Sequence, residues 1–235
     1  MLDLDLNHKG PSNRLNLLIN KALENRTEPP RGYLGASRLG EECCRSLQYE
    51  FYNTPKDKNF SGQTLRTFAI GHALEDLAVQ WLQVAGVQIG GRQAGFETAK
   101  GLIKGHIDGV LTGGPEDFGP FPRLLEIKTA SNKKFNEFKK HPLQKSNNVY
   151  YSQIQTYQAY LDLQNPALFL VINKDTSEFY FENIPFDSQT AQEISDKGAR
   201  IIQACLSGDL LPRISEDPGF YLCGWCSWNG RCHAS

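Results

Sequence analysis

The chain has 235 residues, 40% of them hydrophobic and 22% charged, with a formal net charge of −1. That length allows one large domain or two small ones. With a mean hydropathy of −0.45, the absence of any apolar run of spanning length argues against a membrane protein. The balanced charge excludes a uniformly basic nucleic-acid binder, although local lysine clusters can still meet phosphate. The opening MLDLDLNHKG is acidic and lacks the apolar centre of a signal peptide, so the expected location is the cytoplasm.

In chain order, residues 11–26 form an amphipathic helical pattern with a Pro/Ser start, and TEPPRG breaks it. A second helix is predicted at 41–53 and the longest at 63–85, ending at Gly86. Two strands follow, near 93–99 and 102–111. A Gly/Pro/acid loop, TGGPEDFGPFP, separates them from a strand at 123–130. SNKKFNEFKKHPLQK reads as a polar connection. A helix at 148–162, strands at 167–173 and 177–184, a helix at 188–206 and an irregular cysteine-rich tail complete the chain. No internal repeat or low-complexity segment interrupts this order. The α–β–β–β–α–β sequence predicts an α/β fold, a mixed central sheet flanked by helices.

The strand LLEIKTA places Glu126 and Lys128 on one face, with Leu125, Ile127 and Thr129 on the other. An E-x-K pair is ordinarily a solvated pair on a half-exposed strand. Pairing 102–111 with 123–130 across the loop sets Leu111 opposite Arg123. The same register brings Asp108 opposite Glu126, with Cβ atoms about 5 Å apart. Two carboxylates so close repel unless a positive group lies between them, and a divalent cation with oxygen ligands satisfies both. Lys128 lies on the same face. A cross-strand surface cluster is the competing reading. The apolar setting and the glycines at 105 and 109, which permit a close approach of backbone or ligand, favour the metal site.

Six cysteines stand at 43, 44, 205, 223, 226 and 232. In a cytosolic chain such clustering favours metal over disulfides. CGWCSWNGRC holds three cysteines in ten residues, enough to wrap one ion or cluster with a fourth thiolate from GEECC upstream. Four thiolates suit zinc as well as iron–sulfur. Cys205, within RIIQACLSG, reads as a core cysteine of a helix.

Lys133, Lys134, Lys139, Lys140 and Lys145, with His141, face a single acid, Glu137, immediately after the E-x-K strand. Phe135 and Phe138 are interleaved. Lysines for phosphates and rings for bases suit a single strand or a frayed end; a solvated polar loop is the alternative.

Asp108 followed by Glu126-Ile127-Lys128 resembles the PD-(D/E)XK nuclease superfamily, with Ile107 where the name has proline. GHALE, supplying Glu75, and QIQTY, supplying Gln153 and Tyr157 one helical turn apart, resemble its RecB-like branch. His72 reads as a packed or surface histidine. CCRSLQY together with the tail resembles the iron–sulfur members, among them CRISPR-associated RecB-like exonucleases and phage exonucleases. The resemblance implies a restriction-endonuclease-like αβββαβ core. It implies Asp108, Glu126, Glu75 and the Ile127 carbonyl on Mg2+ or Mn2+, with Lys128, Gln153 and Tyr157 acting beside them. It implies a structural [4Fe–4S] cluster on Cys43, Cys223, Cys226 and Cys232, with zinc as the alternative and Cys44 in the family's proline position.

The domain reading is an N-terminal helix and linker over 1–30 and one nuclease domain over 31–235 that includes the cluster. The expected activity is metal-dependent DNA hydrolysis, as an exonuclease on single strands or duplex ends. The location would be the host cytoplasm for a phage-encoded chain, and partner proteins of recombination, repair or CRISPR adaptation stay unspecified. Two other readings stay open: a non-catalytic nucleic-acid-binding module, and a zinc-stabilised scaffold with surface carboxylates.

Overall fold

The computed structural model describes residues 11–26 and 29–234; the acidic opening and part of the 27–32 break lie outside them. Helix α1 (Pro11–Glu24) is followed by a short strand β1 (Leu34–Gly35), helix α2 (Cys44–Phe51) and the long helix α3 (Gly62–Val84). Ser61 starts α3 by accepting from Thr64 N–H at 3.2 Å, and Gly86, at φ 89°, ends it. Helix α1 lies against that start: Gly62 N–H donates to Glu24 Oε1 at 2.6 Å and Arg66 to Asn16 Oδ1 at 2.8 Å.

Strands β2 (Gln88–Gly90), β3 (Gly95–Thr98), β4 (Ile103–His106), β5 (Gly109–Gly113) and β6 (Arg123–Ala130) come next. Helices α4 (Asn132–Lys140), α5 (Leu143–Ser146) and α6 (Asn148–Tyr160) lead to β7 (Ala167–Asn173) and β8 (Phe179–Ile184). Helix α7 (Ser188–Ser207), capped by Asp187 and closed by left-handed Gly208, precedes the short helices α8 (Tyr221–Trp225) and α9 (Asn229–His233).

The main sheet runs β2-β5-β6-β7-β8. Strands β6 and β7 are parallel, joined over one face by α4 to α6, and the other neighbours are antiparallel. Alternation along β6 divides the core. Leu125 and Ile127 pack with Leu168, Leu170 and Ile172 against Ala78, Val79 and Leu82 of α3. Leu124, Phe169 and Val171 pack on the opposite face with Phe135, Phe138, Ile154 and Tyr157. Glu126 and Lys128 project from that second face.

The expected mixed α/β architecture is present, and the longer helices fall within one turn of their predicted ends. Four local expectations are corrected. The strand expected over 102–111 is two strands in two sheets: β4 joins β1 and β3, whereas β5 joins the main sheet. Ile107 N–H bonds to Ala94 O at 3.1 Å, which turns the chain out of one ladder before the next begins. The close approaches at the glycines on either side are made mainly by side chains. A Cβ on Gly105 would stand 2.6 Å from the Phe96 ring and 2.9 Å from the Tyr157 ring, and one on Gly109 would stand 2.8 Å from Ile89. The polar connection at 131–145 is helical, because Phe135 and Phe138, one turn apart, find a buried face. The tail is partly helical, and β1 and β2 were too short to carry a sequence pattern.

Candidate active site

The predicted register is found: Leu111 pairs with Arg123, and Gly109 with Leu125. Asp108 therefore reaches the level of Glu126 just before β5 begins. It does not stand as a ladder residue; its Oδ2 accepts from the Ile127 backbone N–H at 2.7 Å. Glu126 is 1% exposed. Its Oε1 accepts from Lys128 Nζ and from Gln153 Nε2, the latter at 2.6 Å, whereas its Oε2 is buried with no hydrogen-bond partner. Helix α6 delivers Gln153 and, one turn on, the buried Tyr157, whose ring meets Phe96 edge-on. Lys128 lies over the Tyr150 ring, 5.2 Å from its centroid.

Glu75 comes from α3, and His72 Nδ1 lies 3.3 Å from its Oε2. His72 is largely exposed, as its sequence reading had it. The electrostatics tie Glu75 to the other acids. Burial pushes the Glu75 carboxyl up and Asp108 pushes it further, against Lys128 and His72. Burial also raises Asp108, opposed by Lys128, the Ile127 N–H, His72 and Arg92. Glu126 is pushed up to about 8 by burial, with Lys128 opposing and Asp108 and Glu75 adding to the rise. Burial alone would lower Lys128, but Glu126 and Asp108 override it and hold the ammonium charged. Tyr157 is held above the ordinary phenol range by burial and by Glu126.

Asp108, Glu126, Lys128, Glu75, Gln153 and Tyr157 are thus brought together from four elements. Sequence reasoning missed Arg92, from the turn after β2, and its partner Asp76; only the pairing of β2 with β5 reveals them. A pocket of about 130 Å³ lined by Asp117, Phe118, Arg123, Phe181 and Asn183, among others, includes neither Asp108, Glu126 nor Glu75.

Among the described residues, no group of three or more His, Cys, Asp or Glu side chains is gathered closely enough to hold a metal ion. The carboxylates are instead drawn to the N–H donors above. One observation still fits a cation: the Glu126 Oε2 acceptor is buried and has no hydrogen-bond partner, and a carboxylate oxygen is the donor type that Mg2+ or Mn2+ takes.

The tail folds back on α2. Burial raises the Cys223 and Cys226 thiols, and nearby Cys43 and Cys232 raise both further. Cys43 is the N-cap residue of α2. Arg45 Nη1 lies 3.8 Å from Cys232 Sγ, and Trp228 N–H donates to Cys226 Sγ at 3.5 Å. Cys205 is buried on α7, and Cys44 acts on the half-buried Lys197. The Arg45 guanidinium also donates to Leu211 O, Gln48 bonds to Asp209 O and Leu211 N–H, and Trp228 Nε1 donates to Thr54 O at 2.8 Å.

On α4, Lys134 bonds to Glu137 at 2.8 Å and to Ser146 O at 3.0 Å, and Lys139 lies 3.7 Å from Glu178. Lys133 and Lys140 are exposed. Phe135 and Phe138 are each 1% exposed, which corrects the expectation that they stack on bases: they anchor the helix to the core.

No known family profile and no curated protein matches the chain. Its architecture is one that solved exonucleases share. The alkaline exonuclease LHK-Exo from Laribacter hongkongensis is similar with a TM-score of 0.55 at 16% identity, over 76% of this chain and 90% of that one. The same enzyme in complex with dAMP gives 0.53 at 16% identity, over 75% and 89%. A phage-related exonuclease from Haemophilus somnus 129PT gives 0.49 at 13% identity, over 69% and 78%. At these identities the likeness is one of fold.

Proposed function

We propose that this chain is a divalent-metal-dependent deoxyribonuclease, acting as an exonuclease. The observation that carries the reading is Glu126: buried on a sheet strand, beside Lys128 and Gln153, level with Asp108, and with one carboxylate oxygen left without a partner. A surface charge cluster would not be buried in this way, because a buried carboxylate is costly unless it serves a bound cation or a reaction. The fold shared with an exonuclease supports the same reading.

Asp108, Glu126, Glu75 and the Ile127 carbonyl would hold Mg2+ or Mn2+. The ion would lower the pKa of a bound water and offset charge on the phosphate. Lys128 supplies a fixed positive charge for the developing oxyanion. Gln153 orients the Glu126 carboxylate through its hydrogen bond, and Tyr157 packs behind them. Residues 31–235 would form the catalytic domain. The four thiols of Cys43, Cys223, Cys226 and Cys232 would hold a structural [4Fe–4S] cluster, with zinc as the alternative.

The test is digestion of end-labelled single-stranded and duplex DNA with Mg2+ or Mn2+. The parent should release nucleotides, whereas Asp108→Ala and Glu126→Ala should release none above background. DNA binding without cleavage by the parent in either metal would favour a non-catalytic binding module instead.

A further inference from the structure

The acids at this site create a problem for the substrate. Asp108, Glu126 and Glu75 add to one another's negative charge, and Asp76 adjoins Glu75, so a polyanion approaching them is repelled. Lys128 is already committed to Glu126. A strand of phosphates needs a second cation on the open side.

The sheet register identifies one. Gly90 pairs with Val110 across β2 and β5, and Gly109 with Leu125 across β5 and β6. β2 ends at Gly90 and β5 begins at Gly109, so the turn that carries Arg92 and the residue Asp108 lie at the same end of the sheet. The turn that carries Arg92 is fixed from both sides. Ala94 N–H bonds to Gly91 O at 3.0 Å, and Ile107 N–H, one residue before Asp108, bonds to Ala94 O. The Arg92 side chain turns towards α3, where Nη2 meets Asp76 Oδ1 at 2.5 Å, one residue from Glu75. Its charge also reaches Asp108.

We propose that Arg92 is the substrate-gripping cation of this site: it takes the backbone phosphate next to the scissile one, and its ion pair with Asp76 holds it in place until the strand arrives. The proposal rests on the nuclease reading above. The Arg92 and Asp76 side chains are 36% and 63% exposed, and an ion pair so open to water is weak. A phosphate accepts the planar guanidinium fork through two parallel hydrogen bonds and competes well for it. Held beside Asp76 on the outer side of the acids, Arg92 takes a flanking phosphate, while Lys128 faces the reacting one.

The experiment compares the parent with Arg92→Ala, Arg92→Lys and Asp76→Asn. It measures equilibrium binding of a labelled DNA strand in Ca2+ over a range of salt, and steady-state cleavage in Mg2+ or Mn2+. Arg92→Ala should raise Kd and KM about tenfold, lower the log–log salt slope by about 0.7 to 0.9, and leave kcat within about twofold. Arg92→Lys should recover part of the affinity as a point charge, and Asp76→Asn should bind at least as tightly as the parent. A parent that cleaves, with an Arg92→Ala variant of unchanged Kd and salt slope, overturns the proposal. So does an Asp76→Asn variant as weak as Arg92→Ala, because the pair would then be a strut. If Arg92→Ala does not fold, Arg92→Lys and Asp76→Asn decide alone. A parent that binds DNA but does not cleave it sinks the nuclease reading, while the salt slopes still decide whether Arg92 grips phosphate.

Discussion

Glu126 is where the competing effects at this site can be weighed. Burial pushes it up to about 8 from an ordinary value of 4.5. Between those values the folded chain holds a proton that the unfolded chain has released, so stability falls as pH rises through that window, by up to about 1.4 kcal/mol per unit. In chelator, the melting temperature should therefore drop from pH 5 to pH 8. Mn2+ should restore it at pH 8 and do little at pH 5, where the carboxyl is protonated. A melting temperature that is flat over this range in chelator would mean that Lys128 fully balances the ionised carboxylate. Lys128→Ala tests that balance from the other side. Removing one partner of a buried pair costs about 3–5 kcal/mol when the remaining group is charged. The loss should be large at pH 9 and small at pH 6. Turnover should fall about 10²- to 10³-fold, the scale for deleting one preorganised contact; a variant that digests DNA at the parent rate removes Lys128 from the chemistry.

Between elements, the turn from β4 to β5 carries most of the precision. Gly105 lets the Phe96 and Tyr157 rings close over the backbone three residues before Asp108. Gly105→Ala should cost about 1–3 kcal/mol through overpacking and should lower activity, since both the Asp108 turn and the Tyr157 ring must shift. An alanine variant with parent melting temperature and rate would show that the rings have room. On α4, Lys133 and Lys140 are exposed, whereas Lys134 and Lys139 already have acidic neighbours. If α4 lies on the DNA path, Lys133→Ala with Lys140→Ala should flatten the salt dependence of binding about as much as all four substitutions together; an unchanged slope moves the path elsewhere. The same elements explain what the sequence disclosed. The register of 111 with 123 was legible because two alternating strands flank a loop with clear turn residues. The division at 107–108 was not, because both halves alternate alike and only tertiary pairing assigns them to different sheets. Five lysines masked the Phe135/Phe138 spacing that makes α4 a buried helix, and Arg92 became visible only once β2, three residues long, was placed beside β5.

Across the whole molecule, the tail and α2 form one unit. If the four thiols hold [4Fe–4S], anaerobically purified protein should be brown with about four irons per chain. Cys43→Ser, Cys223→Ser, Cys226→Ser and Cys232→Ser should each bleach it, and Cys44→Ser and Cys205→Ser should not; zinc without iron would keep the four-thiolate site and remove the cluster. The cysteine spacing made this unit a candidate metal site in the sequence. The polar pins around it were not, because Arg45 and Gln48 carry no sign in the sequence that their partners stand at 209–211. That separation governs how the chain can be made. Arg45 and Gln48 are 9% and 0% exposed in the folded protein, yet the carbonyls they bond to lie more than a hundred and fifty residues later. While the ribosome is still adding β6, β7 and β8, the Arg45 and Gln48 side chains of α2 lack the backbone groups they bond to in the folded protein. Long-range contacts of this kind slow folding and prolong exposure of sticky surface. A nascent chain of this protein therefore cannot complete the hydrogen bonds of Arg45 and Gln48 until residues 209–211 have emerged.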